Sequence, residues 1–290
     1  MDTATLHAFV EVARTGSFSI AAQNLFITQS AVSKRIAQLE SQLDTRLFDR
    51  IGRGINLTEA GEALLPQAEC ILTQFEDARR MLSNLSGKVN GRLSLAASHH
   101  ISLHRLPETL RLFVKRYPQV DMDLRFYESE VAYEAVVHGD IELALITLAP
   151  QSDPRIVAEC LWMDRLHYCV AADHPLASQP NVEFDRINAY PAILPPATTF
   201  THQIVQQQLQ SLGLEPNLGI STNYLDTIRM MVRSGLGWSL LPETLIDEHL
   251  VRLNTGSQAV ERPLGYIYHR ERTLSNAARE LLRLLKQSST

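Results

Sequence analysis

Apolar residues recur at helical spacing through residues 1–58. The pattern predicts a supporting helix that ends near Thr15-Gly16, and then two short helices joined by a tight turn at residues 26–28. Ser30 stands where a helix N-cap is wanted, so the second short helix is expected to begin there. The buried stripes of the two short helices are predicted to consist of Ala21, Ala22 and Leu25, and of Val32, Ile36 and Leu39.

The polar face of the second short helix has the composition of a surface that reads DNA. Gln pairs well with adenine and Arg with guanine in a major groove, whereas Ser and Lys suit phosphates and mixed base edges. A solvated helix face is the alternative, and it would be preferred for an isolated Lys-Arg pair. The candidate DNA contacts are Thr28, Gln29, Ser30, Ser33, Lys34 and Arg35.

A glycine-punctuated hairpin follows these helices. Residues 47–58 read LFDRIGRGINLT, and the tip of the hairpin carries Arg50 and Arg53. Arginines in such a wing are suited to phosphate or to the minor groove. The sequence therefore predicts a mostly helical, winged helix-turn-helix DNA-binding domain at residues 1–58.

Between Thr58 and Gly87 the apolar positions follow an alternating spacing of four and three residues. A period of 3.5 residues kept over about three heptads is typical of a helix that pairs with another helix. A helix buried in its own domain is the alternative, although the continuous polar faces between the seam positions disfavour it. We expect residues 59–87 to form a coiled-coil linker helix that makes the protein at least a dimer. The seam consists of Leu64, Ala68, Ile71, Phe75, Ala78, Leu82 and Leu85.

Residues 88–290 alternate between strand-like and helix-like runs, which predicts an α/β domain. One helix is expected over residues 103–117, and two separate strands at residues 156–162 and 166–172. The other strands are expected at residues 92–97, 120–126, 141–147, 192–194, 218–222 and 264–269, with a strand and turn at residues 236–242. The other helices are expected at residues 131–138, 201–212, 224–234 and 275–286.

The sequence resembles the LysR-type transcriptional regulators. The resemblance is carried by LHAFVEVARTGSFSIAAQNLFITQSAVSKRIAQLESQLDTRLFDR at residues 6–50, by LTEAG at residues 57–61 and by GLGWSLLP at residues 235–242. It covers nearly the whole chain. It implies a homo-oligomeric regulator that binds double-stranded promoter DNA at an inverted repeat, with tetramers formed through the effector domains and RNA polymerase as a partner in activation.

The resemblance also implies that residues 88–290 are similar to a periplasmic solute-binding protein. Lobe I would comprise about residues 91–162 and 265–290, and lobe II about residues 163–264. A small molecule bound between the lobes would modulate DNA binding.

Candidate effector contacts follow from a rule about open α/β sheets. Ligands bind beyond the carboxyl ends of the strands, at helix N-termini whose free N–H groups favour anions. For any one residue, an N-cap that serves only its own helix is the alternative. Taken together, the polar residues at these places predict a small anionic effector between the lobes: Ser98, His99, His100, Ser102, Glu128, Ser129, Thr147, Thr198, Phe200, Thr201 and His202.

Two other kinds of site can be weighed against the residues. His99, His100 and His104 could begin a metal site, but the sequence places no further soft or carboxylate ligand beside them, so no metal and no cofactor are expected. Cys160 and Cys169 could form a redox switch. The peroxide-sensing branch of the family carries its reactive cysteines in the region that matches residues 195–207, where this chain has none, so both are expected to be inert.

Composition and missing motifs disfavour the remaining classes of protein. The chain has 290 residues and a net charge of −5, and placement of charge matters more for DNA binding than the total. Its start, MDTATLHAF, is unlike a signal peptide, and no apolar stretch approaches the roughly 18 residues of a membrane span, so a cytoplasmic protein is expected. An enzyme is disfavoured because no G-x-S-x-G, Walker loop or G-x-G-x-x-G opens a helix after a strand. A secreted solute-binding protein would need the signal peptide, and a structural DNA-binding protein would lack promoter specificity.

Overall fold

The computed structural model describes residues 2–51 and 54–288, and the chain divides into two compact units, residues 1–85 and 86–290. The first unit consists of helices and one hairpin, and the second mixes strands with helices. The fold is thus α/β overall with a mostly helical N-terminal part, as the sequence predicted.

Helix α1 packs against the three other helices of the first unit. The shared core is built from residues that the helical periodicity selects, among them Phe9, Val32, Ile36 and Leu39. The elements in chain order are α1 (Thr3–Thr15), α2 (Phe18–Asn24), α3 (Gln29–Leu43), β1 (Phe48–Ile51), β2 (Gly54–Leu57) and α4 (Glu59–Asn84).

The start of α3 corrects one prediction. Thr28, and not Ser30, is the N-cap, because Thr28 Oγ1 accepts the N–H of Ala31 at 3.2 Å. Ser30 lies in the first turn, with its hydroxyl 3.0 Å from that of Thr28. Both residue types favour the cap position, so local preference could not choose between them. The turn itself falls at residues 26–28 as expected, with Phe26 in the left-handed region at φ 54°.

Two contacts fasten the hairpin to the helices. Glu40 on α3 accepts the N–H of Leu47 at 2.8 Å, which anchors the entry into β1. Gly61 on α4 approaches the same segment so closely that a Cβ atom would lie 2.3 Å from the carbonyl oxygen of Leu47. A glycine at position 61 is therefore required by packing, since any larger residue would push α4 away from the hairpin.

In the second unit, the strands of the main sheet run in the order β10-β6-β11-β5-β3-β4, and β9 also pairs with β6. β3, β4 and β5 are parallel, whereas β11 is antiparallel to β5 and β6. The strands are β3 (Gly91–Ala97), β4 (Val120–Phe126), β5 (Leu143–Thr147), β6 (Ile156–Ala171), β7 (Ala192–Leu194), β8 (Leu218–Ser221), β9 (Ser239–Pro242), β10 (Leu250–Arg252) and β11 (Val260–His269). The helices are α5 (His99–His104), α6 (Pro107–Arg116), α7 (Ser129–Val137), α8 (Phe184–Asn188), α9 (Phe200–Ser211), α10 (Leu225–Arg233) and α11 (Asn276–Ser288), with a 3-10 turn at Glu243–Leu245.

Long strands β6 and β11 connect two lobes. In lobe I, apolar clusters lie on both faces of the sheet, one with α6 and α11 and the other with α7. In lobe II, a cluster that includes Trp238 packs with α9, and another packs with α10. The lobes meet where β6 and β11 cross between them, and the cleft opens at the carboxyl ends of β3 and β5.

Two predicted elements of this unit were wrong. The helix expected over residues 103–117 is two helices, α5 and α6, because Pro107 has no N–H to donate and its ring would clash with the carbonyl of Leu103. The two strands expected at residues 156–162 and 166–172 are one strand, β6, which pairs with β11 along most of its length. The polar break in its pattern at residues 164–165 includes Asp164, whose charge is satisfied by tertiary contacts.

Candidate functional site

The amino-terminal half of α3 presents the predicted DNA-reading face to solvent. Thr28, Gln29, Ser30 and Lys34 are exposed, whereas Ser33 and Arg35 are half-buried. The side chains of Lys34 and Arg35 make no ion pair with any residue that the structure describes. Cations held at the surface without an internal partner are available to phosphates and base edges. The stripe of Val32, Ile36 and Leu39 on the opposite face is buried in the core.

The structure describes only one of the two predicted wing arginines, Arg50 and Arg53. Arg50 belongs to β1, whose backbone pairs with β2, so the predicted hairpin is present. Arg53 lies outside the described residues.

The apolar side chains of helix α4 are buried near the middle of the helix and exposed toward its end. Ala68 and Leu72 are buried against the core of the first unit. Further along, Phe75, Leu82 and Leu85 are 48%, 64% and 81% exposed. A row of large apolar side chains on a solvent-exposed helix face is unfavourable unless another surface covers it. Thr58 is the N-cap of α4.

A cavity of about 150 Å³ lies in the cleft of the second unit. Seven of the eleven predicted effector contacts line it: Ser98, His99, His100, Glu128, Ser129, Thr147 and Thr201. They come from the ends of β3, β4 and β5 and from the first turn of α9, as the rule about strand ends requires. The volume is below the roughly 300–1,000 Å³ of drug-sized sites, so the cavity has room only for a small molecule.

The other four predicted contacts are not among the residues that line this cavity. Ser102 Oγ donates to the carbonyl of Ser98 at 2.8 Å, within α5. Thr198 is exposed on the loop before α9. Nδ1 of His202 lies 2.8 Å from the carbonyl oxygen of Pro195, and the ring of Phe200 packs edge-on against Tyr133. The assignment of these four residues as effector contacts therefore stays a prediction that the lining of this cavity does not support.

A buried ionic cluster forms the floor of the cleft at the crossing of the lobes. Asp164 on β6 lies directly opposite Arg262 on β11, and Arg262 donates to its carboxylate at 2.6 Å. Arg105, after α5, donates to the other carboxylate oxygen at 2.7 Å. The side chains of Asp164 and Arg262 are 1% and 3% exposed. One carboxylate thus faces two guanidinium groups, and Arg262 also lines the cavity.

The cluster controls the charge of its members. Burial alone would raise the pKa of Asp164, but His100, Arg262 and Arg105 outweigh it and hold that pKa well below the usual range. His100 Nε2 lies 3.2 Å from Asp164 Oδ2, yet burial lowers the pKa of the imidazole. His100 is therefore neutral at pH 7, and the positive charge beside the cavity belongs to the arginines.

The alternative chemistries have little support in the part of the chain that the structure describes. No group of three or more His, Cys, Asp or Glu side chains is arranged to hold a metal there. The ring centroids of His100 and His104 lie 4.8 Å apart with the ring planes tilted by 40°, and His104 faces Asp226 at 3.6 Å. Burial raises the pKa of the Cys169 thiol to about 12, which disfavours the reactive thiolate. Among the described helices, none combines the length and apolarity that a membrane crossing would demand.

The sequence analysis did not predict several charged and polar residues of the cleft. Arg262, Glu130, Asn223 and Tyr224 also line the cavity, and none was predicted. A signal did exist for Asp164 and Arg262, because each is a charged residue next to a run of apolar strand residues, and a charge that is buried there needs a partner.

Comparison with known proteins agrees with this architecture. Residues 86–290 match the family model for the LysR substrate binding domain, and residues 3–62 match that for the bacterial regulatory helix-turn-helix protein, lysR family. The chain belongs to the LysR family. It is therefore a DNA-binding transcriptional regulator with an effector-binding domain, and the members it matches are regulators rather than enzymes.

Similar curated proteins cover most of the chain. It is 31% identical to the uncharacterized HTH-type transcriptional regulator YeiE of Escherichia coli K12, over 96% of this chain and 94% of that one. It is 28% identical to a probable nitrogen assimilation transcriptional activator of Synechococcus elongatus, over 98% and 94% of the two chains.

Solved structures share the fold. A full-length OxyR variant from Pseudomonas aeruginosa has a TM-score of 0.70 at 21% identity, over 100% of this chain and 94% of that one. The LysR family regulator CbnR has a TM-score of 0.66 at 20% identity, over 100% of both chains. CbnR has also been crystallised with its target DNA.

Proposed function

We propose that this regulator reads an inverted-repeat operator as a homodimer and responds to a small effector, with an anionic group, held in the cleft of the second unit. The observation that carries the proposal is the polar face of α3, where Lys34 and Arg35 have no ion-pair partner among the described residues. CbnR, which shares the fold of this chain, has been crystallised in complex with its target DNA, and this supports DNA as the partner here.

On this proposal α3 enters the major groove and the wing lies on the adjacent backbone. The proposed major-groove contacts are Thr28, Gln29, Ser30, Ser33, Lys34 and Arg35, with Arg50 and Arg53 on phosphate or in the minor groove. The protein would act in the cytoplasm, where its promoter and RNA polymerase are. Tetramers through the effector domains would follow from its likeness to other members of the family.

Dimerisation is proposed to use the exposed seam of α4. The double variant Phe75→Glu and Leu82→Glu should be monomeric at concentrations where wild type is a dimer or larger. Both side chains are exposed in the single chain, so the substitutions spare its core. Each buried apolar side chain is worth about 1.5–3 kcal/mol, and two are lost per protomer, so association should weaken by at least about 100-fold.

Sedimentation equilibrium at micromolar protein measures this effect. Gln74→Glu is the control, because it adds one negative charge, as each of the two substitutions does, at an exposed neighbouring position outside the seam. A wild-type protein that sediments as a monomer would contradict the dimer, and a double variant as strongly associated as wild type would move the interface elsewhere.

The effector is proposed to bind in the cavity beside Ser98 and Thr201. Thermal-shift screening of small metabolic acids on the full-length protein identifies a ligand, and calorimetry then compares variants. Thr201→Ala and Ser98→Ala should each weaken binding by roughly 5- to 100-fold, since a hydrogen bond to a charged group contributes about 1–3 kcal/mol. Thr198→Ala is the control, because Thr198 is exposed and does not line the cavity. Equal affinity in Thr201→Ala, Ser98→Ala and wild type would place the effector outside this cleft.

A further inference from the structure

The first turn of α9 already holds a carboxylate from the opposite lobe. Glu130, on α7 of lobe I, accepts the N–H of Phe200 on lobe II at 2.5 Å through its Oε1. Thr199 Oγ1 accepts the N–H of His202 at 3.1 Å. The N–H of Thr201, between them, has no acceptor among the described residues. Part of the site that favours anions is thus occupied by the protein's own carboxylate.

Two buried polar atoms of opposite character flank this turn without a hydrogen-bond partner in the described structure. One is Oε2 of Glu130, a negative acceptor. The other is Nε of Arg262, a positive donor, on a side chain that also reaches toward Thr201 Oγ1 at 3.5 Å. Both residues line the cavity. A buried polar group without a partner is costly, so each atom favours a ligand group of the complementary kind.

The charges near the cavity support a ligand that carries both signs. Arg262, Glu128 and Glu130 line the cavity, so one guanidinium group and two carboxylates belong to its walls, and Asp164 pairs with Arg262 and Arg105 beside it. A simple anion would leave Glu130 beside a like charge, and a simple cation would leave Arg262 beside one. Both arrangements cost free energy where the charged side chains are buried or half-buried, as Arg262 and Glu130 are.

We infer that the effector is a small zwitterion of the α-amino-acid kind. Its carboxylate would meet Arg262, the amide and hydroxyl of Thr201 and the hydroxyls of Ser98 and Thr147, and its ammonium would meet Glu130 Oε2. An α-amino acid carries the two groups on one carbon, which matches acceptor and donor poles on either side of one helical turn. The cavity of about 150 Å³ suits a molecule of that size. This inference rests on the proposed effector cleft and adds the ligand's class.

The test compares matched ligands on the full-length protein. Each genetically encoded amino acid is screened by thermal shift, and every hit is measured by calorimetry beside the acid that lacks its amine and the amine that lacks its carboxylate. For L-serine these are hydroxypropionate and ethanolamine. At least one amino acid should bind, and its two truncated analogues should bind roughly tenfold or more weakly.

Variants of Glu130 test whether this carboxylate causes the preference for an amino acid over its truncated analogues. Glu130→Gln keeps an oxygen for the Phe200 amide but replaces the negative oxygen by an N–H donor, so the amino acid should lose roughly tenfold in affinity while the deaminated acid loses little. Glu134→Gln is the matched control, since Glu134 lies on the same helix with its side chain 64% exposed. Urea unfolding confirms that both variants are folded, and Glu130→Ser replaces Glu130→Gln if the latter is not.

The possible outcomes separate this inference from the cleft itself. If deaminated acids bind as tightly as amino acids and Thr201→Ala weakens both, the cleft holds the effector but the zwitterion inference is overturned. A Glu130→Gln variant with unchanged preference for the amine overturns it as well, as does a screen in which no amino acid binds. If amino acids bind and neither Thr201→Ala nor Glu130→Gln matters, the cleft assignment fails too.

Discussion

Replacing Arg35 or Gln29 with alanine is expected to weaken binding to a mapped operator by roughly 5- to 150-fold, which corresponds to about 1–3 kcal/mol, and to relax specificity at one base pair. Both side chains lie on the polar face of α3, and neither forms an ion pair with the described residues. Their loss should therefore leave folding unchanged. Fluorescence anisotropy with the operator and with single-base variants of it measures affinity and specificity together.

Lys34 should behave differently on the same helix. Lys34→Ala should weaken binding to all DNA sequences about equally, because a phosphate contact carries no sequence information. It should also reduce the slope of log binding constant against log salt concentration by about one counterion. Gln42→Ala is the control, since Gln42 is exposed on α3 about 20 Å along the helix from Gln29. If Arg35→Ala and Gln29→Ala bind like wild type, α3 is not the recognition helix.

Removing the charge of Asp164 is expected to be among the most destabilising single changes in the second unit. Asp164→Asn leaves Arg262 buried and Arg105 half-buried without a counter-charge, and breaking such a pair typically costs about 3–5 kcal/mol. Asp123→Asn is the matched control, because Asp123 also accepts from two arginines, Arg92 and Arg125, but at the surface. Exposed pairs contribute about 0–1 kcal/mol, so the control should lose little.

Urea unfolding followed by tryptophan fluorescence measures this difference in the whole protein. Both tryptophans, Trp162 and Trp238, belong to the second unit, so the signal reports on that unit alone. The double variant Asp164→Asn with Arg262→Met should be more stable than Asp164→Asn, since it removes the buried unpaired charge. Equal losses for Asp164→Asn and Asp123→Asn would contradict the role of the buried cluster.

The contribution of Asp164 to the stability of the protein is expected to depend on pH. Because the pKa of Asp164 is lowered by folding, its contribution is complete above the ordinary aspartate pKa of about 3.9 and is lost as the pH falls toward the folded value. The difference in stability between wild type and Asp164→Asn should therefore narrow below about pH 4. A difference that stays constant into acid would mean that the carboxylate charge is not what stabilises the fold.

Local patterns predicted most of the first unit, although Ala68 of the predicted seam is buried in the core of that unit. The alternation of apolar and polar residues on α3 is a property of one helix, and it determines both the buried stripe and the free polar face. The seam of α4 is likewise encoded by a period that any reader of the chain can count. The N-cap of α3 was misassigned because Thr28 and Ser30 have similar preferences and only the path of the turn chooses between them.

The general position of the cleft was also within reach of the sequence, because ligand sites in α/β sheets follow the ends of strands whatever the loops contain. The charged groups that meet in the cleft could not be predicted from the sequence. Asp164 and Arg262 are 98 residues apart and meet only because β6 and β11 pair in one register. Glu130 and Phe200 are 70 residues apart and meet only across the lobes. Periodicity describes which face a residue occupies, but the partner it finds there depends on strand register and lobe packing, which no local pattern contains.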